Sequence, residues 1–543
     1  MTVAGARPSL RLKAPIDSGH FLVQPSRDLD GESMVAGQWL ATAKQRVSLC
    51  GKNLASVRDE ARREVLSLAA RYVASYSAEP FDFAPSENAP LIIAGHQPEL
   101  FHPGVWFKNF LLDELAKQTD GIALNLIVDN DLCRSIAVKV PGRDAVGNIT
   151  FESVPWDLPR QATPWETRCI ASASTFESFP QRIRRHLLTE VDNPLVDQLW
   201  AKTEKLLERP LPVGTILAQA RHALERACGL NTLELPLSSL TSTRSFARFS
   251  LQIMHDLATF RKIYNWHRDT YRRANHVRSA AHPVPALQER AGWIEGPWWV
   301  YRAEVPRRQA LFLYHRQDSL LLSDRNGWQV EIEGPIDSEQ AIDQWMELLE
   351  DEVFIRPRAL LTTMFARMVI GDLFVHGIGG GKYDQLTDAI LSEYFGCAAP
   401  PYLVATATMH LPIDVPKITD QEIREQQNRI WQLRHHPEQF LTIDTPETRL
   451  LLDQRRNLLD HMPEKGKKWN WHRELVDIHR RLETFNASQI EDVQRNLDQL
   501  SSQMRIRNAL QSREFSFCLF PAQLIDQLRK LAHNACQTLG YTV

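Results

Sequence analysis

The sequence predicts an α/β protein: a parallel-sheet core carrying inserted helical and β segments, followed by an α-helical coiled-coil arm. Three observations lead there. Apolar runs without period-two alternation, "LIIA" at 91–94, "GIALNLIVDND" at 121–131 and "DLFVHG" at 372–377, read as strands covered on both faces. An amphipathic segment, Val105–Lys117, separates the first two, and strand, helix, strand is the unit of a parallel sheet. From Thr419 onward, charged helical pattern takes over with apolar residues three and four apart.

Taken in order, residues 1–80 are expected to form an N-terminal helical segment. Within it Val47, Leu54, Val57, Ala61, Val65 and Leu68 keep to one face of a helix over 35–77. The turn-rich "SAEPFDFAPSENAP" then isolates this segment from a core over 81–416. Insertions interrupt the core at approximately 174–350. Residues 174–280 read as mostly helical; "GPWWVYRAEV", "QALFLYHR", "SLLLSD" and "WQVEIEG" read as strands, and helical pattern returns at 338–350. After 372–377 comes a glycine-rich loop, "IGGGKYD", then a helix closed by Gly396 and one more strand, "YLVATATMHL". The arm spans 417–512. Capping boxes at Thr419/Glu422 and Ser488/Glu491 open two of its helices. Leu475, Ile478, Leu482 and Phe485, and then Val493, Leu497, Leu500 and Met504, form seams suited to an antiparallel hairpin or a dimerising coiled coil. Residues 513–543 return to the core.

With 543 residues, two or three structural units are expected. Lys and Arg number 63 against 66 Asp and Glu, a balance that argues against a nucleic-acid partner, whose affinity comes from a basic surface. The seven cysteines are scattered and form no CxxC pair, which predicts reduced thiols in a cytoplasmic protein. No signal-peptide core or membrane-length apolar run is legible.

The candidate site comes from loops after strands. In a sheet with βα units, ligands sit beyond the carboxyl ends of the strands, where helix N-termini offer free N–H groups and roughly half a positive charge. "AGHQPELFHPGVWFK" places Gly95, His96, Gln97, His102 and Lys108 there, as phosphate donors or, for His96 and His102, as metal ligands. Read structurally, the same turn is tight packing shaped by Pro98, Pro103 and Gly104. "VDND" brings Asp129, Asn130 and Asp131, able to orient an amine, hold Mg2+, act as base, or simply cap the strand. "HGIGGGKYD" brings His376, Gly377, Gly379, Gly380, Gly381, Lys382 and Asp384; it matches neither the P-loop nor the dinucleotide fingerprint. Cys133 is the one cysteine beside these loops and is expected to be inert.

These motifs resemble a known family. "AGHQPELFHPGVWFK" is similar to the "TGQQ-x-x-LFTGP" turn of the bacillithiol-synthesis cysteine-adding enzymes, and residues 357–396 to that family's block built on "PNALLRP" and "YVGGPGE". "YNWHRDTYRRANHVRSAAHPVPAL" and the strand end "LIVDND" also match in order, so the resemblance covers roughly residues 80–530. It implies a Rossmann-like core related to nucleotidyltransferases and a coiled-coil arm that makes a homodimer. It also implies ATP-assisted amide formation joining cysteine to an amino sugar. Carried over by position, His96 replaces the family's first Gln and Gln97 keeps the second. Asp129 and Asp131 fall on the acidic strand end, and Gly377 and Gly379 on the glycine loop. Thr362 stands where the family has arginine, and "GIGGGK" lacks its acidic residue, which points to a changed substrate. "HQPELFHPGVWFK" is also similar to the opening of a WbqC-like family linked to surface sugars.

The expectation is therefore a ligase using ATP or another nucleotide with Mg2+, an amino acid, and an amine or amino-sugar acceptor. A nucleotidyltransferase-like enzyme of sugar metabolism, a catalytically inactive coiled-coil scaffold and a metal-dependent hydrolase are the alternatives.

Overall fold

Six strands build the central sheet of a mixed α/β chain, whose residues 12–26, 47–77, 89–278, 284–442 and 444–541 are described by the computed structural model. In chain order the strands are β1 (His20–Pro25), β2 (Leu91–His96), β3 (Ile122–Ile127), β4 (Ala137–Arg143), β5 (Ile149–Pro155) and β6 (Leu233–Pro236). There follow β7 (Trp293–Arg302), β8 (Gln309–His315), β9 (Ser319–Ser323), β10 (Gln329–Glu333), β11 (Val353–Pro357), β12 (Leu373–His376) and β13 (Tyr402–Thr408). The central sheet runs β1-β13-β12-β2-β3-β6. All neighbours in it are parallel except β1, which pairs antiparallel with β13. Every residue of β3 and β13 is buried, which is why neither alternates.

The helices of this unit follow from the same pattern. α1 (Leu54–Ala74) starts where the Asn53 side chain accepts the Ser56 amide at 2.9 Å, and it buries Val57, Ala61, Val65 and Ala69. α2 (Pro103–Gln118) crosses between β2 and β3. α3 (Val213–Ala227), α4 (Arg244–His255) and α5 (Leu257–Ala274) lead to the second sheet, antiparallel and ordered β10-β9-β8-β7-β11. α6 (Glu339–Glu350) buries Ile342 and Trp345 in the core that this sheet shares with the first. α7 (Ala359–Phe365) runs into a π-helical turn, Ala366–Ile370, and α8 (Ile378–Tyr394) follows β12.

Three expectations are corrected here. The N-terminal segment is not helical throughout: His20–Pro25 is a half-buried edge strand, where Pro25 is tolerated, and Ser48–Leu49 pairs with Lys52–Asn53 ahead of α1. Of the helix expected over 35–77, residues 35–46 lie outside the described residues. The mostly helical insertion hides β6, whose four residues are too few to show a pattern. "IGGGK" is no loop but the first turns of α8, because two of its glycines let the helix lie close to its neighbours. A Cβ on Gly381 would strike the Val404 side chain, and one on Gly380 would sit 2.6 Å from Nδ1 of His376.

Contacts divide the chain into Met1–Leu411 with Arg513–Val543, and Pro412–Ser512. The second unit is a helical arm: α9 (Asp420–His435), α10 (Pro446–Asp460), α11 (Lys468–Phe485) and α12 (Ala487–Leu510). Thr419 and Glu422 form the expected capping box. Ser488 and Glu491 do not, since α12 already begins at Ala487 behind Asn486, whose amide donates to the Pro437 carbonyl at 3.1 Å. The seams do not close on each other: α11 packs against α10 and α12 against α9. Ile478 and Leu482 are buried with Leu451, so this seam is covered within the chain. No helix among the described residues is long and apolar enough to cross a membrane.

Candidate functional site

Because β12, β2 and β3 are adjacent and parallel, their carboxyl ends share one edge; Val375 is level with Ala94 and His96 with Ile127. The loops at 95–108, 129–131 and 376–384 therefore meet along that edge, although they lie far apart in sequence. It has a cationic half, over β12 and β2, and an acidic half, over β3.

In the cationic half, Lys108 reaches back from the second turn of α2 as helical Cβ atoms do, and its Nζ donates to the Gly95 carbonyl at 2.8 Å. It is 4% exposed, and no carboxylate forms an ion pair with it among the described residues. Burial lowers its pKa from 10.5 to about 8. Its charge also helps depress His96, His102 and His376, so all three imidazoles lie within its field. Arg513, returning from the arm, donates to Thr406 Oγ1 at 2.8 Å and stands beside Gly104 at the start of α2. The first turn of α8 has no side-chain cap, and a Cβ on Gly377 or Gly379 would meet nothing within 4 Å. Among the described residues no acceptor bonds the Ile378, Gly379 or Gly380 amides.

The histidines divide by role. His96 is 8% exposed, edge-on to Phe101, with Nδ1 3.0 Å from the Gln97 carbonyl and Nε2 3.1 Å from Asn109 Oδ1. Asn109 in turn donates to Glu225, which accepts from Arg221 and Trp106 as well. Burial drives the His96 pKa well down. His96 is thus held by a buried polar network and is not placed as a phosphate donor, which corrects the expectation for it. His102 caps α2, its Nδ1 accepting the Gly104 amide at 3.1 Å, and burial brings its pKa to about 4, leaving a neutral ring. His376 donates from Nε2 to Asp384 at 2.8 Å, and Arg367 also pairs with Asp384. Burial outweighs that carboxylate and lowers the His376 pKa, so the ring is neutral with Nδ1 turned toward Gly380. Lys382 is exposed on α8 beyond its first turn, away from the free N–H groups.

In the acidic half, Asp129 accepts from the Ser238 amide at 2.9 Å and its hydroxyl at 2.5 Å. Burial, with Glu166 adding, raises its pKa to about 7. Asp131 accepts from the Gln97 amide group, from Arg308 at 3.0 Å and from the Leu132 amide at 2.8 Å. Arg308 also donates to the Asn130 carbonyl at 3.1 Å, while Arg356 clasps Glu166 through two nitrogens and Tyr301 donates to the same carboxylate. Glu99, its pKa raised by burial and by Asp131, faces this group. Among the described residues no three His, Cys, Asp or Glu side chains are placed to hold a metal. The His96–His102 pair gains no third ligand. Cys133 is buried and its thiol is pushed up to about 11, an unreactive setting.

Arg513, Glu166, Ser238, Tyr301, Arg308 and Arg356 escape a reading of the sequence, since each arrives from an element that only the fold brings near; Glu99 lies within the quoted turn itself, where nothing but its charge marks it out. The one available signal is the position of Arg513 at the return from the arm. No family model matches this chain, and no curated protein is similar to it. The reading of function rests on geometry.

Proposed function

We propose that the strand-end cleft binds the phosphates of a nucleotide beside an amine or amino-sugar acceptor, in a Rossmann-like ATP-assisted ligase that forms a C–N bond. One observation carries the reading: Lys108, a buried ammonium with no carboxylate partner among the described residues, donates to Gly95 at the end of β2, the strand beside β12, which leads into α8. A buried charge is stable only when paired, and an anionic ligand is the missing partner. The likeness of "AGHQPELFHPGVWFK" and residues 357–396 to the bacillithiol cysteine-adding enzymes supports the same class.

The residues fit phosphate. Lys108 and the N–H groups at Gly379 and Gly380 would bind it, with Arg513 flanking the start of α2. They do not fit a protein-held Mg2+, because Asp129 and Asp131 are already engaged by Ser238, Gln97 and Arg308. ATP, when bound, would supply the leaving group that makes a carboxylate reactive toward an amine. Glu99 would orient that amine as an ammonium. Asp129, titrating near neutrality, would take one proton from that ammonium and so free the lone pair that attacks.

Calorimetric titration of the full chain with ATP tests this. Binding that Lys108→Met abolishes supports it; no binding with or without amino acids sinks it. A nucleotidyltransferase-like enzyme would share the phosphate half of the cleft and would release pyrophosphate without forming an amide. An inactive scaffold is favoured by one observation, the internal engagement of both His96 and His102. It requires that Lys108→Met leave cellular function intact while a charge at Leu482 destroys it.

A further inference from the structure

The second sheet carries a cavity of about 350 Å3. Tyr301 and Arg302 of β7, Arg307 of the loop to β8, and Asp324, Asn326 and Trp328 of the β9–β10 turn line it. The turn is built to hold its shape. Asp324 accepts the amides of Asn326 at 2.7 Å and Trp328 at 3.0 Å, and Gly327 takes a φ of +107° that only glycine adopts without strain. Both of those bonds fall on Oδ1 of Asp324, while the donors around the cavity are not engaged. Arg302 and Arg307 form no ion pair or side-chain hydrogen bond with a described residue, and neither do the Asn326 amide group and the indole N–H of Trp328.

Two unpaired guanidiniums, an amide and an indole N–H on residues lining one concavity select an anion, and the half-buried Trp328 selects a flat or ring-shaped body; Tyr301 is buried against Phe354 and forms the floor. The volume sits at the small end of metabolite sites, roughly 300–1,000 Å3. The cavity also adjoins the cleft: Arg308, next in the chain after Arg307, grips Asp131 and the Asn130 carbonyl, and the Tyr301 hydroxyl donates to Glu166.

We propose that this cavity is a second small-molecule site, taking a phosphate or carboxylate group carried on a sugar or base. This goes beyond the nucleotide reading and does not depend on it. The test is 19F NMR of the full chain labelled with 5-fluorotryptophan. The chain has 14 tryptophans, so Trp328→Phe identifies the relevant line. Glucose 6-phosphate, adenosine monophosphate and inorganic phosphate serve as probes. A saturable shift of the Trp328 line is expected with one of the two ring-bearing probes. It should weaken about tenfold or more in Arg302→Gln/Arg307→Gln, whose other tryptophan lines report an intact fold. Lys108→Met should leave it unchanged, which separates this site from the strand-end cleft. No shift at millimolar probe would overturn the proposal. So would equal affinity in the double variant, or inorganic phosphate binding as tightly as either ring-bearing probe.

Discussion

Lys108→Met should make this protein more stable, not less. Burial takes the Lys108 pKa from 10.5 to about 8; at about 1.4 kcal/mol per unit, the charged form costs the fold about 3 kcal/mol. The folded state disfavours the proton, so this cost is fully present below pH 8 and is released as pH rises from 8 to 10.5. Methionine keeps nearly the volume of the side chain and is one atom shorter. It forfeits the bond to the Gly95 carbonyl, worth about 1 kcal/mol. The net gain at neutral pH is therefore about 2 kcal/mol. Urea unfolding followed by tryptophan fluorescence, on both proteins at neutral pH and again near the upper end of that window, reads it directly. The variant should lead at neutral pH, and the lead should shrink as the wild-type lysine loses its proton. A variant that is weaker at neutral pH, or an offset indifferent to pH, would mean that Lys108 is a satisfied structural residue and would remove the main support for an anion site.

Asp129 carries the opposite sign. Its folded pKa of about 7 lies above the ordinary 3.8, so its contribution to stability is lost as pH rises between those values; Asp129→Asn should flatten that part of the stability–pH curve. Gly379→Ala meets no atom within 4 Å and should stabilise α8 by about 1 kcal/mol through helix propensity, while Gly381→Ala collides with Val404 and should cost about 1–3 kcal/mol; thermal denaturation separates the two. Arg367→Met leaves the buried Asp384 carboxylate to the neutral His376 and Thr363 alone and should cost about 3–5 kcal/mol, seen as a lower urea midpoint. Leu482→Asp, placing a carboxylate at a fully buried arm position, should raise hydrogen exchange throughout α10 and α11.

Much of the fold is legible because the covered strands announce themselves: "LIIA", "GIALNLI" and "DLFVH" have no polar alternation, and a parallel sheet is the structure that covers both faces. β1 and β6 are not legible, since one is a half-buried edge and the other four residues long. In the site, the convergence of the three loops follows from strand order alone. The fate of each side chain does not. His96 and Lys108 look alike in the sequence, as polar residues near one turn, yet one ends in a network with Asn109 and Glu225 and the other against a lone carbonyl. That difference depends on α3, more than a hundred residues downstream. The glycine run misleads for a related reason: its cost to a helix is visible, but the close neighbours that require it, Val404 and His376, are not.

The antiparallel pairing of β1 with β13 bears on how the chain comes into being. The amide of Tyr402 bonds to the Ser26 hydroxyl across 376 residues. At ribosomal speeds of about 5–20 residues per second, the earliest strand waits roughly 20–75 seconds for its neighbour. During that interval the apolar flanks of β2 and β3 have no finished sheet to enter, while the local hairpins of the second sheet can already form. A nascent chain of this protein thus keeps apolar strand flanks uncovered until β12 and β13 have been made. Its yield on expression should respond to translation speed more than to any single contact in the mature molecule.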